Sequence, residues 1–329
     1  MFLQLEYLSP ALFFQEECEE MNDIVGPPSD ADRDVIDLIN QPFGFSRRLQ
    51  VLSTRRSRYM DSADDFSLKP SPERLEELKE ALSEIRRRVQ TASTSNDTPT
   101  LVAVSKYKPA SDILACYEHS HYDFGENYVQ ELVDKAAVLP REIRWHFIGT
   151  LQSNKAKLLA SISNLYCVQT VASIKAASAL NKAIPSDRQK PLHILVQVNT
   201  SGEDSKSGLP YLGLDADVAT SELGLLVTHI IKECPKLHFE GLMTIGALEQ
   251  SLNASETEKN ADFERLRETR ESLKHYLKKA HAEAQWGNEE TGELVLSMGM
   301  SSDFEAALKA GSNVVRVGAG IFGQRLKVT

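Results

Sequence analysis

The sequence predicts an α/β fold built as a single (β/α)8 barrel. Eight short runs, most of them apolar and rich in β-branched residues, alternate with stretches of helical spacing. That alternation implies a parallel sheet, and eight units in about 230 residues match the size of a (β/α)8 barrel. An open doubly wound sheet is the competing architecture, but no GxGxxG follows the first strand. The polar, glycine-bearing and titratable residues also fall at predicted strand ends, which a barrel gathers at one mouth.

Order is expected from Ser71, which suits a helix N-cap, with Pro72 at the first helical position. Leu75, Leu78, Leu82, Ile85 and Val89 recur at helical spacing and predict a helix over 72–90. Strands follow at 100–105, 121–125, 144–148, 164–168, 192–198, 237–243, 294–297 and 313–317. Helices are expected between them at 109–119, 126–138, 153–161, 172–183, 215–233, 257–281 and 302–310.

Composition narrows the function classes. The 329 residues suffice for one large domain or two ordinary ones, and 41% hydrophobic with 26% charged residues is the balance of a soluble globular chain. A net charge of −10 without a basic stripe argues against nucleic-acid binding. No apolar run reaches about 18 residues, so no membrane span is expected. Cys18, Cys116, Cys167 and Cys234 are scattered and form no CxxC pair. They read as lone thiols in a reducing compartment, with the cytoplasm as default and the mitochondrion as alternative. His119 and His121 form an HxH that reads as a surface loop, and no metal is expected.

Residues 1–70 are expected to form a disordered extension ahead of a barrel over 71–329. The first 32 residues carry eight acids and no Lys or Arg, unlike a transit peptide. Glu6 and Pro10 break the apolar start, unlike a signal peptide. Arg47, Arg48, Arg55, Arg56 and Arg58 form a basic cluster that reads as part of a solvated tail. A chain beginning at Met60 is expected to fold and bind its ligand normally.

The strand ends carry the chemistry. Leu101 to Ser105 is an apolar run that stops at Lys106, with Pro109 shortly beyond. A lysine at the carboxyl end of the first strand, its stem against an apolar wall, can form an imine with an aldehyde. The plain alternative is a solvated lysine capping a strand. Asn127 offers a carboxamide after the second strand or caps the next helix. His146, on the third strand, either meets a ligand or is a satisfied core histidine. The polar 201–208 segment is a candidate mouth loop. The segments Leu296–Ser301 and Val314–Gly323 carry the strongest phosphate signal, through hydroxyls, free backbone N–H groups, close-approach glycines and a helix N-terminus. A phosphate site facing a strand-end lysine suggests an aldehyde-bearing phosphate, and pyridoxal 5′-phosphate (PLP) has both handles.

The motifs LVAVSKYKP, FGENYVQEL, WHFIGTLQSNKAK, VQVNTSGEDSKSGL, GLMTIG, LSMGMSSDFEAAL and VRVGAGIFGQR occur in this order. Together they resemble the pyridoxal phosphate homeostasis protein family over about residues 72–326. The resemblance implies a barrel like the N-terminal domain of alanine racemase, the fold type III architecture, with PLP held as an internal aldimine on Lys106. It also implies Ser297, Ser301, Gly318 and the Ala319 backbone around the phosphate. Arg316 is expected to face the pyridine nitrogen, and Asn127 and His146 to line the ring pocket. The implied role is a carrier or buffer of PLP in vitamin B6 homeostasis, with PLP-requiring apo-enzymes as partners. Ala319 departs from the family, which usually has threonine there, so one hydroxyl donor to phosphate is missing.

Arg316 bears on catalysis. A guanidinium cannot accept the ring-nitrogen proton, which weakens carbanion stabilisation and suits a binder. The alternative is a PLP-dependent amino-acid racemase. Two-domain racemases carry a C-terminal β-domain with a second acid/base, whereas here the eighth strand ends near Val317 and the sequence at Thr329. Tyr107 is the one conceivable substitute base, so no catalytic residue is assigned and a monomer is expected. A sugar-phosphate barrel with an aldolase-type Lys106 is the remaining, non-PLP alternative.

Overall fold

The computed structural model describes residues 69–94, 98–203, 206–246 and 260–324. These belong to one compact unit, Ser67–Thr329. The predicted extension over 1–70, apart from Lys69 and Pro70, lies outside the described residues, as does Cys18.

Eight strands form the barrel: β1 (Thr100–Val104), β2 (Asp123–Glu126), β3 (Arg144–Phe147), β4 (Leu165–Val171), β5 (Leu192–Asn199), β6 (Leu237–Met243), β7 (Val295–Ser297) and β8 (Val314–Val317). Each pairs in parallel with its sequence neighbour, and β8 returns to pair with β1, which closes the ring. A two-residue parallel strand, Leu209–Pro210, adds to β5 and was not expected from the sequence.

The helices are α1 (Pro72–Ala92), α2 (Ala110–Glu118), α3 (Val129–Val138), α4 (Ala156–Ala160), α5 (Ile174–Ala183), α6 (Glu222–Glu233), α7 (Ala261–Ala280), α8 (Phe304–Lys309) and α9 (Ala319–Phe322). A 3₁₀ turn over Ser153–Lys155 precedes α4. Ser71 caps α1 by accepting the Arg74 N–H at 3.2 Å. The buried face of α1, Leu78, Leu82, Ile85 and Val89, packs against α2, α8 and α9. This helix therefore fills the outer position beside β8 that the four-residue α9 is too short to cover.

Three expectations need correction. Glu126, at the expected start of a helix, instead closes β2, because its carbonyl accepts the Ile148 N–H at 2.9 Å and the helix begins only at Val129. The helix expected from 215 begins at Glu222, where Ser221 caps it by accepting the Gly224 N–H at 3.0 Å. His121 is not on a surface loop: it is buried edge-on to Phe124, and its Nε2 faces the Asp123 carbonyl at 3.0 Å.

The main core lies between strands and helices. Inside the ring sits a small apolar cluster of Val102, Cys167, Leu195, Met243, Val295 and Val314. Buried polar side chains from β2, β3, β4, β7 and β8 share that interior.

Candidate functional site

The site begins with the turn after β1. Strand pairing ends at Val104, so Lys106 lies two residues beyond the strand rather than on it. The Lys108 N–H returns to the Ser105 carbonyl at 3.0 Å, which places Lys106 and Tyr107 at the centre of a tight turn. Tyr107 has φ +62°, a position where turns favour glycine or asparagine. Lys106 itself is half-buried. Lys108 reaches the end of α9, donating to the Phe322 carbonyl at 2.9 Å.

A second construction crosses the barrel. Arg316 on β8 is buried and donates to the Ser297 hydroxyl at 2.5 Å and to the Thr244 carbonyl at 2.7 Å. Ser297 donates to Gln169 Oε1 at 2.7 Å, and Gln169 Nε2 meets His146 Nδ1 at 3.1 Å. His146 Nε2 faces Asp123 Oδ1 at 3.1 Å, and Asp123 also pairs with Arg144. The guanidinium can only donate, so each hydrogen runs one way along this chain. His146 Nδ1 accepts, and its hydrogen sits on Nε2 toward Asp123. Burial pushes the Arg316 guanidinium down to about 10, partly opposed by Asp303, and leaves it cationic at neutral pH. Burial also works against the Asp123 charge, but hydrogen bonds from His146 and Arg144 outweigh it and hold the carboxyl well below the usual range.

At the strand carboxyl ends lies a cavity of ≈ 250 Å³, lined by Asn127, Thr170, Gln197, Thr200 and Thr244 among others. Asn127 does not cap α3; Tyr128 holds the N-cap position. Instead Asn127 Oδ1 is buried with no hydrogen-bond partner. Gly149 makes this packing feasible, since a Cβ there would collide with the Asn127 carbonyl. Across the mouth, the Gly318 N–H donates to Ser301 Oγ at 3.1 Å and joins the loops after β7 and β8. Helical bonds in α9 begin with the Ile321 and Phe322 N–H groups, both to the Gly318 carbonyl. The N–H groups of Ala319 and Gly320 therefore precede the helical ladder and are available as donors.

The structure thus brings Arg316 and Ser297 into direct contact, and likewise Ser301 and Gly318. Lys106 and Ala319 sit on adjacent loops tied by Lys108. His146 does not join the mouth cavity. It lines a lower cavity of ≈ 470 Å³ at the amino ends of the strands, with Asp123, Arg144, Tyr166 and Glu240. Sequence reasoning missed Gln169, although a lone amide in the apolar run Leu165–Val171 was its signal. It also missed Glu126 and Lys135, which form a buried ion pair at 2.6 Å; nothing in the α3 pattern marks that lysine as buried. Among the described residues, no group of three or more His, Cys, Asp or Glu could hold a metal. No described helix is long and apolar enough to cross a membrane.

Residues 78–326 match the family model for the N-terminal domain of alanine racemase. The human pyridoxal phosphate homeostasis protein is 41% identical over 257 residues, 74% of this chain and 86% of that one. The Schizosaccharomyces pombe protein of the same name is 39% identical over 241 residues, 73% of this chain and 90% of its own. This chain belongs to the pyridoxal phosphate homeostasis protein family. Among solved structures, PipY of Synechococcus elongatus with PLP bound is 28% identical. It superposes with a TM-score of 0.56 over 75% of this chain and 100% of its own. An alanine racemase from Corynebacterium glutamicum, 15% identical with a TM-score of 0.50, covers 76% of this chain and 62% of its own, a likeness of fold alone.

Proposed function

We propose that the protein binds pyridoxal 5′-phosphate at the barrel mouth, attached through Lys106, and serves as a PLP carrier or buffer in vitamin B6 homeostasis. PLP supplies an aldehyde for an amine, a phosphate for backbone and hydroxyl donors, and a ring nitrogen that accepts a hydrogen bond. The observation that carries the fit is Arg316, a buried cation with N–H donors beyond those given to Ser297 and Thr244. Such a group suits a neutral ring nitrogen. The orphaned Asn127 Oδ1 is an acceptor at the same mouth, and the ring hydroxyl of PLP is the group with a hydrogen to give it. Ser301, positioned by the Gly318 N–H that its oxygen accepts, and the N–H groups of Ala319 and Gly320 form the donor set for phosphate.

Within this site each residue has a separate task. Arg316 holds the ring edge and stays cationic, so it leaves the nitrogen unprotonated and works against carbanion chemistry. Ser297 has one hydroxyl hydrogen, already given to Gln169, so it braces Arg316 rather than donating to an anion. His146 belongs to the same brace. Tyr107 is exposed, with its hydroxyl against that of Tyr128, and lies on the rim. These placements favour binding over racemisation. PLP-requiring apo-enzymes are the recipients this role calls for, in the cytoplasm, from a monomeric donor.

The test is an absorption spectrum of full-length protein mixed with PLP, followed by borohydride and peptide mass analysis. Wild type should show an imine band near ~420 nm and become permanently labelled on Lys106. Lys106→Ala should show neither. A wild type without the band would return the sugar-phosphate barrel, and a label persisting in Lys106→Ala would move the attachment to another lysine.

A further inference from the structure

The turn that carries Lys106 is not self-supporting. Tyr107 at φ +62° is in a region unfavourable to a non-glycine residue, so the turn needs outside restraint. That restraint comes from α3. Lys135 Nζ donates to the Ser105 carbonyl at 2.8 Å, to Glu126 Oε1 at 2.6 Å and to Glu131 Oε1 at 2.7 Å. An ammonium has three hydrogens, and all three are used. Glu126 Oε1 also accepts the Ser105 hydroxyl at 2.6 Å, and Glu131 Oε1 accepts the Tyr107 N–H at 2.6 Å. The cluster therefore grips the residue before Lys106 and the residue after it.

The cluster is costly where it stands. Lys135 is 7% exposed and Glu126 fully buried, and Glu126 Oε2 has no partner. A buried ion pair of this kind gains little over apolar packing in stability. What it supplies is a backbone fixed at Ser105 and Tyr107, hence a fixed origin for the Lys106 side chain.

We propose that Lys135, clamped between Glu126 and Glu131, is a positioning residue that aims the Lys106 amine for aldehyde capture. This rests on the assignment of Lys106 as the attachment point. Capture joins the Lys106 nitrogen to the aldehyde carbon, and the aldehyde oxygen leaves as water with the two amine hydrogens. Lys135 takes no part in that exchange, because its hydrogens are committed. It sets the direction of approach, and small misplacements of a reacting group cost rate steeply.

The experiment uses full-length wild type, Lys135→Met and Glu131→Ala. Two quantities are read: the rate at which PLP becomes borohydride-fixed on Lys106, and the affinity for pyridoxine 5′-phosphate, which has an alcohol in place of the aldehyde. Both variants should label about tenfold more slowly or worse, with analogue affinity unchanged. An unchanged labelling rate overturns the proposal. So does analogue affinity falling in step with rate, since that reports general damage to the site. Should Lys135→Met fail to fold, Glu131→Ala decides alone, because it removes only the Tyr107 acceptor and one Lys135 partner at a part-exposed position. A wild type that never labels removes the Lys106 assignment itself, an outcome no variant effect imitates.

Discussion

Asn127 leaves a buried acceptor unpaired in the free protein, and the proposed function would give that atom a partner. A buried acceptor without a partner costs about 1–3 kcal/mol until something donates to it. Asn127→Ala should therefore leave the ligand-free protein as stable or more stable, by up to about 1 kcal/mol in urea unfolding, while weakening PLP binding by about tenfold. A variant that loses stability and keeps affinity would mean that Asn127 serves the fold alone. Ala319 is the converse case, an exposed position at the start of α9 where the family usually carries a hydroxyl. Ala319→Thr adds a donor beside the Ala319 and Gly320 N–H groups, and a charge-assisted bond of about 1.5 kcal/mol would lower the PLP dissociation constant about tenfold. An unchanged constant in equilibrium titration would place residue 319 out of phosphate reach. Both residues were legible because each stands at a strand end in a recognisable motif. The buried residues elsewhere in the site were harder to read. Gln169 and Asp123 meet partners on other strands, and although Glu131 and Lys135 stand at helical spacing, that spacing does not show that Lys135 is buried.

At the scale of elements, α1 has an unusual duty. It precedes the barrel in sequence yet packs where a helix after β8 would lie, over α2, α8 and α9. Its apolar stripe is what holds it: Leu78 and Leu82 are almost fully buried. Leu82→Ala should cost about 2–5 kcal/mol in equilibrium unfolding, the usual range for a large-to-small core change. A cost below about 1 kcal/mol would mean that α1 can be lifted without loss to the core. The heptad-like spacing of α1 and the apolar runs of β1 to β8 were readable from the sequence, since burial on one face or both imposes those periods. Boundaries were less so. Strand β4 runs to Val171, three residues past the expected 168, because its end pairs with Val196 on β5. The end of β2 at Glu126 is likewise fixed by the neighbouring strand. Pairing across a sheet is not visible in one segment, and short elements such as Leu209–Pro210 exist only through it.

At the scale of the whole molecule, the closed ring and its helical cover bury titratable side chains on both sides of the strands, and burial tunes several of them. His121 lies on the outer side of β2 with its Nδ1 toward Arg86 at 3.4 Å and its Nε2 toward the Asp123 carbonyl at 3.0 Å. Burial first, then the Arg86 charge, pushes the imidazole down to about 4. In the unfolded chain a histidine titrates near 6.5, so between about pH 6.5 and 4 the unfolded state binds the extra proton. Stability must then fall as pH drops through that window, by a share from His121 on the order of 3 kcal/mol. His281, also lowered by burial, adds to the loss with the same sign. The depressed carboxyl of Asp123 adds its own loss only below about pH 4, where an unfolded aspartate takes up a proton that the folded one still refuses. His121→Gln does not titrate and keeps an N–H for the Asp123 carbonyl. Urea midpoints measured from pH 7.5 to 5 should fall steeply for wild type and more gently for His121→Gln. Parallel curves would show that the buried imidazole takes up its proton without unfolding the surrounding structure, and the acid sensitivity would then belong to the other groups.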